Sequence, residues 1–295
     1  MPKGSCLQLA FVLLLWFAQV AQADQFVFSG EVSLGNSAET FGGFSGLELS
    51  SDGSAFTALS DRGHYIEGQI TRRDGQLTKV THSDPKPILK IDGDPVTAAN
   101  FDAEGLAQST DGTFYMSFEG FHRVRRYARL DKPAQNIPNH PDFGGLQTNS
   151  SLELLAIDAA GRLYTAPERS GKLERPFPLY RFEGGAWKRF GDIPRLGEYL
   201  LVGADIGPDG QFYLLERGFR GISFSSRIRR FPIERNGLGA GEVLLVTDYG
   251  RHDNLEGLSI WQDEAGTTIA TMIADDNFRF FQSTELVEYK LVPAE

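Results

Sequence analysis

Apolar and polar residues alternate in short runs along this chain, and each run leads through a small polar turn into a second apolar run. The clearest case is Phe101 to Tyr127, FDAEGLAQSTDGTFYMSFEGFHRVRRY. It predicts a strand, a tight Asp111-Gly112 turn, a second strand and a polar loop. A tight turn reverses the chain, so the hairpin brings its second end back beside its first. Glu104 at the start and Glu119 at the end then share one mouth, with an apolar body between them and the turn.

The phrase recurs four more times. Ser45 to Gly53 leads into AFTALS and Asp61. Glu153 to Gly161 leads into RLYTAP and Glu168. Val202 to Gly210 leads into QFYLL and Glu216. Glu256 to Gly266 leads into TTIATMIA and Asp275. The turn glycines 53, 112, 161, 210 and 266 lie 59, 49, 49 and 56 residues apart. A period of this size with several strands per unit predicts an all-β fold, a single β-propeller. Further hairpins at Asp74-Gly75 and Gly184-Gly185 supply outer strands. Five inner hairpins are visible, and a degenerate sixth blade from residues 83–100 or 132–150 leaves the number at five or six. Lys132 to Gly145, with three prolines, reads as loop. Gln25 to Leu34 and Glu285 to Leu291 both alternate, and are expected to meet in one blade that closes the ring.

Residues 1–23 read as a leader: Lys3, an apolar core from Leu7 to Ala18, and a small-x-small site at Ala21-Gln22-Ala23. The expected mature domain is 24–295, exported to a periplasmic or extracellular space and free of the membrane. Cys6 is the only cysteine, so disulfides do not hold the mature chain together. Asn149-Ser-Ser151 matches a glycosylation acceptor. The formal charge is −10, against the basic face a nucleic-acid binder needs. A small anionic or ester substrate is the expected partner, and no oligomeric state follows from the residues.

The acids fall in register. Eight residues before the turn glycine stand Ser45, Glu104, Glu153 and Val202, with Glu256 in the fifth unit. The far ends of the second strands carry Asp61, Glu119, Glu168, Glu216 and Asp275. Convergence at one mouth makes Glu104, Glu153, Glu256, Asp61, Glu119, Glu168, Glu216 and Asp275 candidate ligands of a hard cation such as Ca²⁺. The bland reading is that these carboxylates accept backbone N–H groups or pair with arginines. Arg62, Arg123, Arg169 and Arg217 follow the acids and suit an anionic substrate, or else lock the loops by internal pairing. Of the histidines, His64, His122 and His252 fall in the same loops. Glu104, Glu119 and His122 are the candidates for proton transfer. No G-x-S-x-G elbow, H-E-x-x-H pair, phosphate loop or mature cysteine nucleophile occurs.

The phrases FSGLELSSDGSAFTALSDRG (44–63), FDAEGLAQSTDGTFYMSFEG (101–120), ADIGPDGQFYLLERGF (204–219) and DNLEGLSIWQDEAGTTIATMIADDNF (253–278), with FQSTELVEYKL (281–291), resemble the bacterial family described as "esterase-like activity of phytase". The resemblance implies an exported β-propeller that hydrolyses phosphate or carboxylic esters, with Ca²⁺ by analogy to propeller phytases. It brings no catalytic set with it. Sugar lactonases, propellers as well, hold a divalent cation with Glu, Asn and Asp at this mouth, and Glu104, Asn100 and Asp61 are the matching residue types here. A binding propeller without catalysis is the remaining alternative.

Overall fold

The computed structural model describes residues 23–96, 102–147, 150 and 152–294. The leader (but for Ala23), Asn100 and Asn149 lie outside them. The described residues form five antiparallel sheets of four principal strands each. Blade 1 holds Phe44–Leu49, Ala55–Ser60, His64–Arg73 and Gln76–His82. Blade 2 holds Ala103–Gln108, Phe114–Phe118, Arg123–Tyr127 and the short Gln135–Asn136. Blade 3 holds Leu152–Ile157, Leu163–Pro167, Phe177–Glu183 and Ala186–Ile193. Blade 4 holds Leu200–Ile206, Phe212–Arg220, Ser223–Phe231 and Glu242–Val246. Blade 5 holds Asn254–Gln262, Thr268–Asp275, Glu285–Val292 and, outermost, Gln25–Ser33.

The first strands of successive blades lie against one another all the way round, from blade 1 through blade 5 and back. The blade number is therefore five, and the segments held open for a sixth blade do other things. Lys86–Pro87 pairs onto blade 1 at His64 and Tyr65. Residues 132–145, expected as loop, supply the fourth strand of blade 2 and a 3₁₀ turn at Pro141–Gly145. The ring closes as expected: Gln25–Ser33 pairs antiparallel with Glu285–Val292, from Gln25↔Val292 to Ser33↔Glu285.

Each pair of neighbouring blades shares one apolar core. Phe44, Leu47 and Phe56 of blade 1 meet Trp261, Ile269 and Ile273 of blade 5. Leu154, Tyr164 and Phe177 of blade 3 meet Leu201, Phe212 and Leu214 of blade 4. Both faces of every sheet are thus covered, which a single blade cannot achieve. The five turn glycines all take positive φ, from 68° at Gly53 to 83° at Gly112, the conformation only glycine adopts freely. In blades 3 and 4 a tyrosine on the second strand ties the turn down: Tyr164 and Tyr213 donate to Asp158 and Asp209 at 3.0 and 2.8 Å.

One irregularity repeats in every blade. The ladder between the first two strands shifts by a residue at Phe44/Gly46, Ala103/Leu106, Leu152/Leu154, Leu201/Gly203 and Leu255/Gly257. A bulge inserts an extra residue and re-aims its side chain. The inserted residues are Ser45, Glu104, Glu153, Val202 and Glu256, the set the spacing put in register. Glycine follows the bulge in all blades but the third. A Cβ on Gly105 would sit 2.7 Å from the backbone nitrogen of Leu155 in the next blade, so the inner strands approach closely only without one.

An acidic mouth at the bulged end of the axis

The bulges and the ends of the second strands build two tiers around the axis. The inner tier is Ser45, Glu104, Glu153, Val202 and Glu256. The second tier follows from the ladders. Just before each bulge the first strand pairs with Ser60, Phe118, Pro167, Glu216 or Ala274. The residues that come next, at the mouth, are Asp61, Glu119, Glu168, Arg217 and Asp275.

This register corrects one expectation. Glu216 stands one position too early, and side chains alternate faces along a strand. It points away from the mouth and is fully buried. Its Oε2 accepts from Arg227 Nε at 2.6 Å and Arg229 Nε at 2.8 Å, and its Oε1 from Arg229 at 2.7 Å. Those arginines continue to the carbonyls of Leu196 and Pro194, in the linker from blade 3. Glu216 is a buried anchor between blades, with no oxygen left for a cation at the axis.

Arg217 takes its place in the tier, a cation among acids. It donates to Glu168 Oε1 at 2.7 Å, to Asn254 Oδ1 at 3.1 Å, and to Glu256. Asn254, buried, donates to Glu256 Oε1 at 2.8 Å. The donors of Arg217 thus go to side-chain oxygens of the protein, which separates it from the substrate role given to it by sequence. Arg169 donates Nε to the other oxygen of Glu168 at 3.1 Å and is half exposed. Arg62 is exposed and stacks on Phe278, 3.3 Å from the ring centroid. Arg123 is buried, lies over Phe118 and donates to the Phe121 carbonyl, so it braces the loop after Glu119. His122 is half-buried at the rim, where its ring makes a backbone hydrogen bond at Leu146.

The side of the mouth away from Arg217 has a surplus of negative charge. Asp102, Glu104 and Glu119 each offer an oxygen within 4.8 Å of the others, with Asp102 exposed and both glutamates buried. Burial, then Glu256, Asp102 and Glu119, push the Glu104 carboxyl well above the usual range. Burial and Glu104 do the same to Glu153, which is hydrogen-bonded to Glu119. Burial with the Asp102 charge lifts Asp61 to about 7, and burial with the Glu256 charge lifts Asp275 to about 8. Asp102, solvent-exposed but pushed up by partial desolvation, was missed by sequence reasoning because it precedes the repeated phrase. Its signal was its place two residues before Glu104.

These residues fit a metal ion. The donors are all carboxylate oxygens, the choice of hard cations, and oxygens within 4.8 Å of one another can share one Ca²⁺ at about 2.4 Å. Crowded together, these acids raise one another's pKa, a conflict that a bound cation would relieve. A pH effect follows. Asp61 and Asp275 hold their protons in the folded state well above the ordinary aspartate value of 3.8. Folding therefore gains from their protonated forms below about pH 4, and loses that gain as pH rises through about 7 and 8. Melting curves of the chelator-treated protein should fall by several degrees between pH 5 and 9, and added Ca²⁺ should remove most of the fall. A midpoint unmoved by pH or Ca²⁺ would make the acids merely structural.

The far end of the axis, where the turns lie, opens into a cavity of about 910 Å³. Its acids already serve the frame. Glu48 accepts from the Gln108 amide at 3.0 Å and Asp205 from the Ile260 amide at 2.6 Å, each pinning the next blade. At the other end, beyond the second-tier residues in sequence, Phe121, Phe219, Ile222, Phe280 and Phe281 are exposed.

No curated protein matches the chain. Among solved structures, the PQQ-bound aldose sugar dehydrogenase of Streptomyces coelicolor is similar at 13% identity over 89% of this chain and 98% of that one, with a TM-score of 0.47. A gluconolactonase of Xanthomonas campestris is similar at 14% identity over 94% and 99%, with a TM-score of 0.48. Likeness this distant says nothing of chemistry. The family comparison is of another kind, since the phytase-like model covers residues 39–278, from the loop before blade 1 to the loop after Asp275. The chain belongs to the phytase-like family described as esterase-like activity of phytase.

Proposed function

We propose that this protein is an exported, metal-assisted hydrolase of phosphate or carboxylic esters, working at the acidic mouth after loss of residues 1–23. The observation that carries the reading is the Asp102–Glu104–Glu119 cluster, open to solvent at Asp102 and closed beneath by buried acids. Asp102, Glu104 and Glu119 would hold the cation, with Ca²⁺ the first choice for an all-oxygen set. A bound divalent cation supplies polarisation of the ester oxygen and a lowered pKa for water. Asp61, balanced near neutral pH, takes a proton from the attacking water or returns one to the leaving oxygen. Glu153 and Glu119 share a hydrogen bond that keeps one proton between two buried carboxyls. Arg62 and Arg169 at the rim neutralise an anionic substrate, and Arg217 holds Glu168 and Glu256 in place.

A second reading, a binding propeller without turnover, draws on the exposed aromatic side chains Phe121, Phe219, Phe280 and Phe281, which suit contact with a partner. Assay of p-nitrophenyl phosphate, p-nitrophenyl acetate and gluconolactone after chelator treatment, with and without Ca²⁺, separates the two. Ca²⁺-dependent turnover of either nitrophenyl ester is expected. Turnover of the lactone alone would replace the substrate class. No turnover, with Ca²⁺ bound at the mouth, would favour the binding propeller.

A further inference from the structure

A different group of metal-ligating side chains sits where the ring closes, on elements that contribute nothing to the two axial tiers. Glu31 lies on the outermost strand of blade 5, Glu285 begins its third strand, and His252 lies in the turn before its first strand. Each offers one ligand atom within 4.8 Å of the other two. The His252 side chain is only 1% exposed. Its Nε2 is hydrogen-bonded to the Tyr289 hydroxyl at 2.7 Å, while its buried Nδ1 has no hydrogen-bond partner. That nitrogen faces Glu31 Oε2 at 3.4 Å and Glu285 Oε1 at 3.7 Å.

These gaps are too long for good N–H···O bonds, which run to about 3.2 Å. They do match ligands of a single tetrahedral ion, since bonds of about 2.0–2.2 Å place neighbouring ligand atoms about 3.4 Å apart. The surrounding charge agrees. Arg251 donates to Glu31 at 3.0 Å and stacks over Phe28. Asp253 adds a carboxylate that accepts from the Asn254 and Ser283 amides and from Gln282. Its own amide donates to Glu285 at 3.1 Å. Glu31, Glu285 and Asp253 against Arg251 leave an excess of negative charge that a divalent cation would balance.

We propose that Glu31, His252 and Glu285 form a binding site for a divalent transition cation of the Zn²⁺ class, which ties the N-terminal strand, the C-terminal strand and the blade 4–5 turn together. An imidazole with two carboxylates suits Zn²⁺, whereas the all-oxygen mouth suits Ca²⁺. Tyr289 orients the ring from behind, as the outer partners of metal-bound histidines do. The Glu31 carboxylate is 41% exposed and gives the ion its way in, with water completing the coordination.

The test is titration of the full chelator-treated protein with Zn²⁺, followed by its melting midpoint, and with Co²⁺, followed by visible absorption. One equivalent should bind with a saturable rise in midpoint. Glu31→Gln, which alters an exposed group, and His252→Gln should each weaken binding by about tenfold or more. Glu104→Gln should leave it intact, which separates this site from the mouth. Absence of a Co²⁺ band, binding unchanged in Glu31→Gln, or binding lost in Glu104→Gln would overturn the assignment.

Discussion

The Glu104→Gln protein should lose about 100-fold in ester turnover and most of its Ca²⁺-dependent rise in melting midpoint, yet melt higher than the wild type when metal-free. The opposed signs come from one crowded position. Glu104 is buried against Glu256, Asp102, Glu119 and Asp61, and pays for that proximity in the absence of a cation. An isosteric amide is neutral without having to bind a proton, so the empty protein escapes that cost and gains stability. The same change takes an anionic oxygen from the Asp102–Glu104–Glu119 set, and partners even one shell further out are worth about 10–100-fold in affinity or activity. Melting curves with and without Ca²⁺, beside the ester assay, read both effects on one preparation. A variant that turns over like the wild type would remove Glu104 from the chemistry. A variant that melts lower without metal would show that the carboxylate is a structural acceptor.

Glu216→Gln should act in the opposite way. The carboxylate holds Arg227 and Arg229, both buried, and through them the linker at Pro194 and Leu196. Removing one partner of a buried ion pair leaves charge without compensation and costs about 3–5 kcal/mol. In a domain of this size that is a fall of roughly 10 °C in midpoint. The Ca²⁺-dependent rise should persist, because Glu216 takes no part in the mouth. Chemical denaturation measures the loss, and Ca²⁺ titration of the variant checks the rest. A near-native midpoint with Ca²⁺ response abolished would return Glu216 to the axis.

The contrast between Glu216 and its neighbour marks how far the residues alone could be read. The repeated hairpins, the closing strands and the convergence of Glu104, Glu153 and Glu256 were all legible. Each is a local pattern: alternation, an Asp-Gly turn, a fixed count back from glycine. The fourth blade defeated the reading because an acid and a base stand side by side in Leu215-Glu216-Arg217, and the eye follows the acid. Counting seven from the turn glycine gives Glu119, Glu168 and then Arg217, so the signal was present and was overruled by residue type. The bulge beside each first-strand position was not legible, since nothing in Ser45 or Val202 announces an extra residue. Asn254 and Asp102 were missed for a related reason. They lie just outside the repeated phrase, and only the three-dimensional ring brings them to the mouth. The His252 site lay further still from view, because its ligands come from both ends of the chain.

That last distance bears on how the molecule comes to exist. Gln25 pairs with Val292, so the strand of the ring made first waits for the strand made last. Contacts this remote in sequence form late, because the entropy of closing the loop comes before any reward from the ladder. Until the final strand arrives, blade 5 is half built, and the strand Gln25–Ser33 has an open edge that can recruit another chain. Nascent or shortened forms that end before Glu285 would therefore be open rings, prone to assemble with one another. The joint between the two ends acts as a clock on folding as well as a seam in the finished ring.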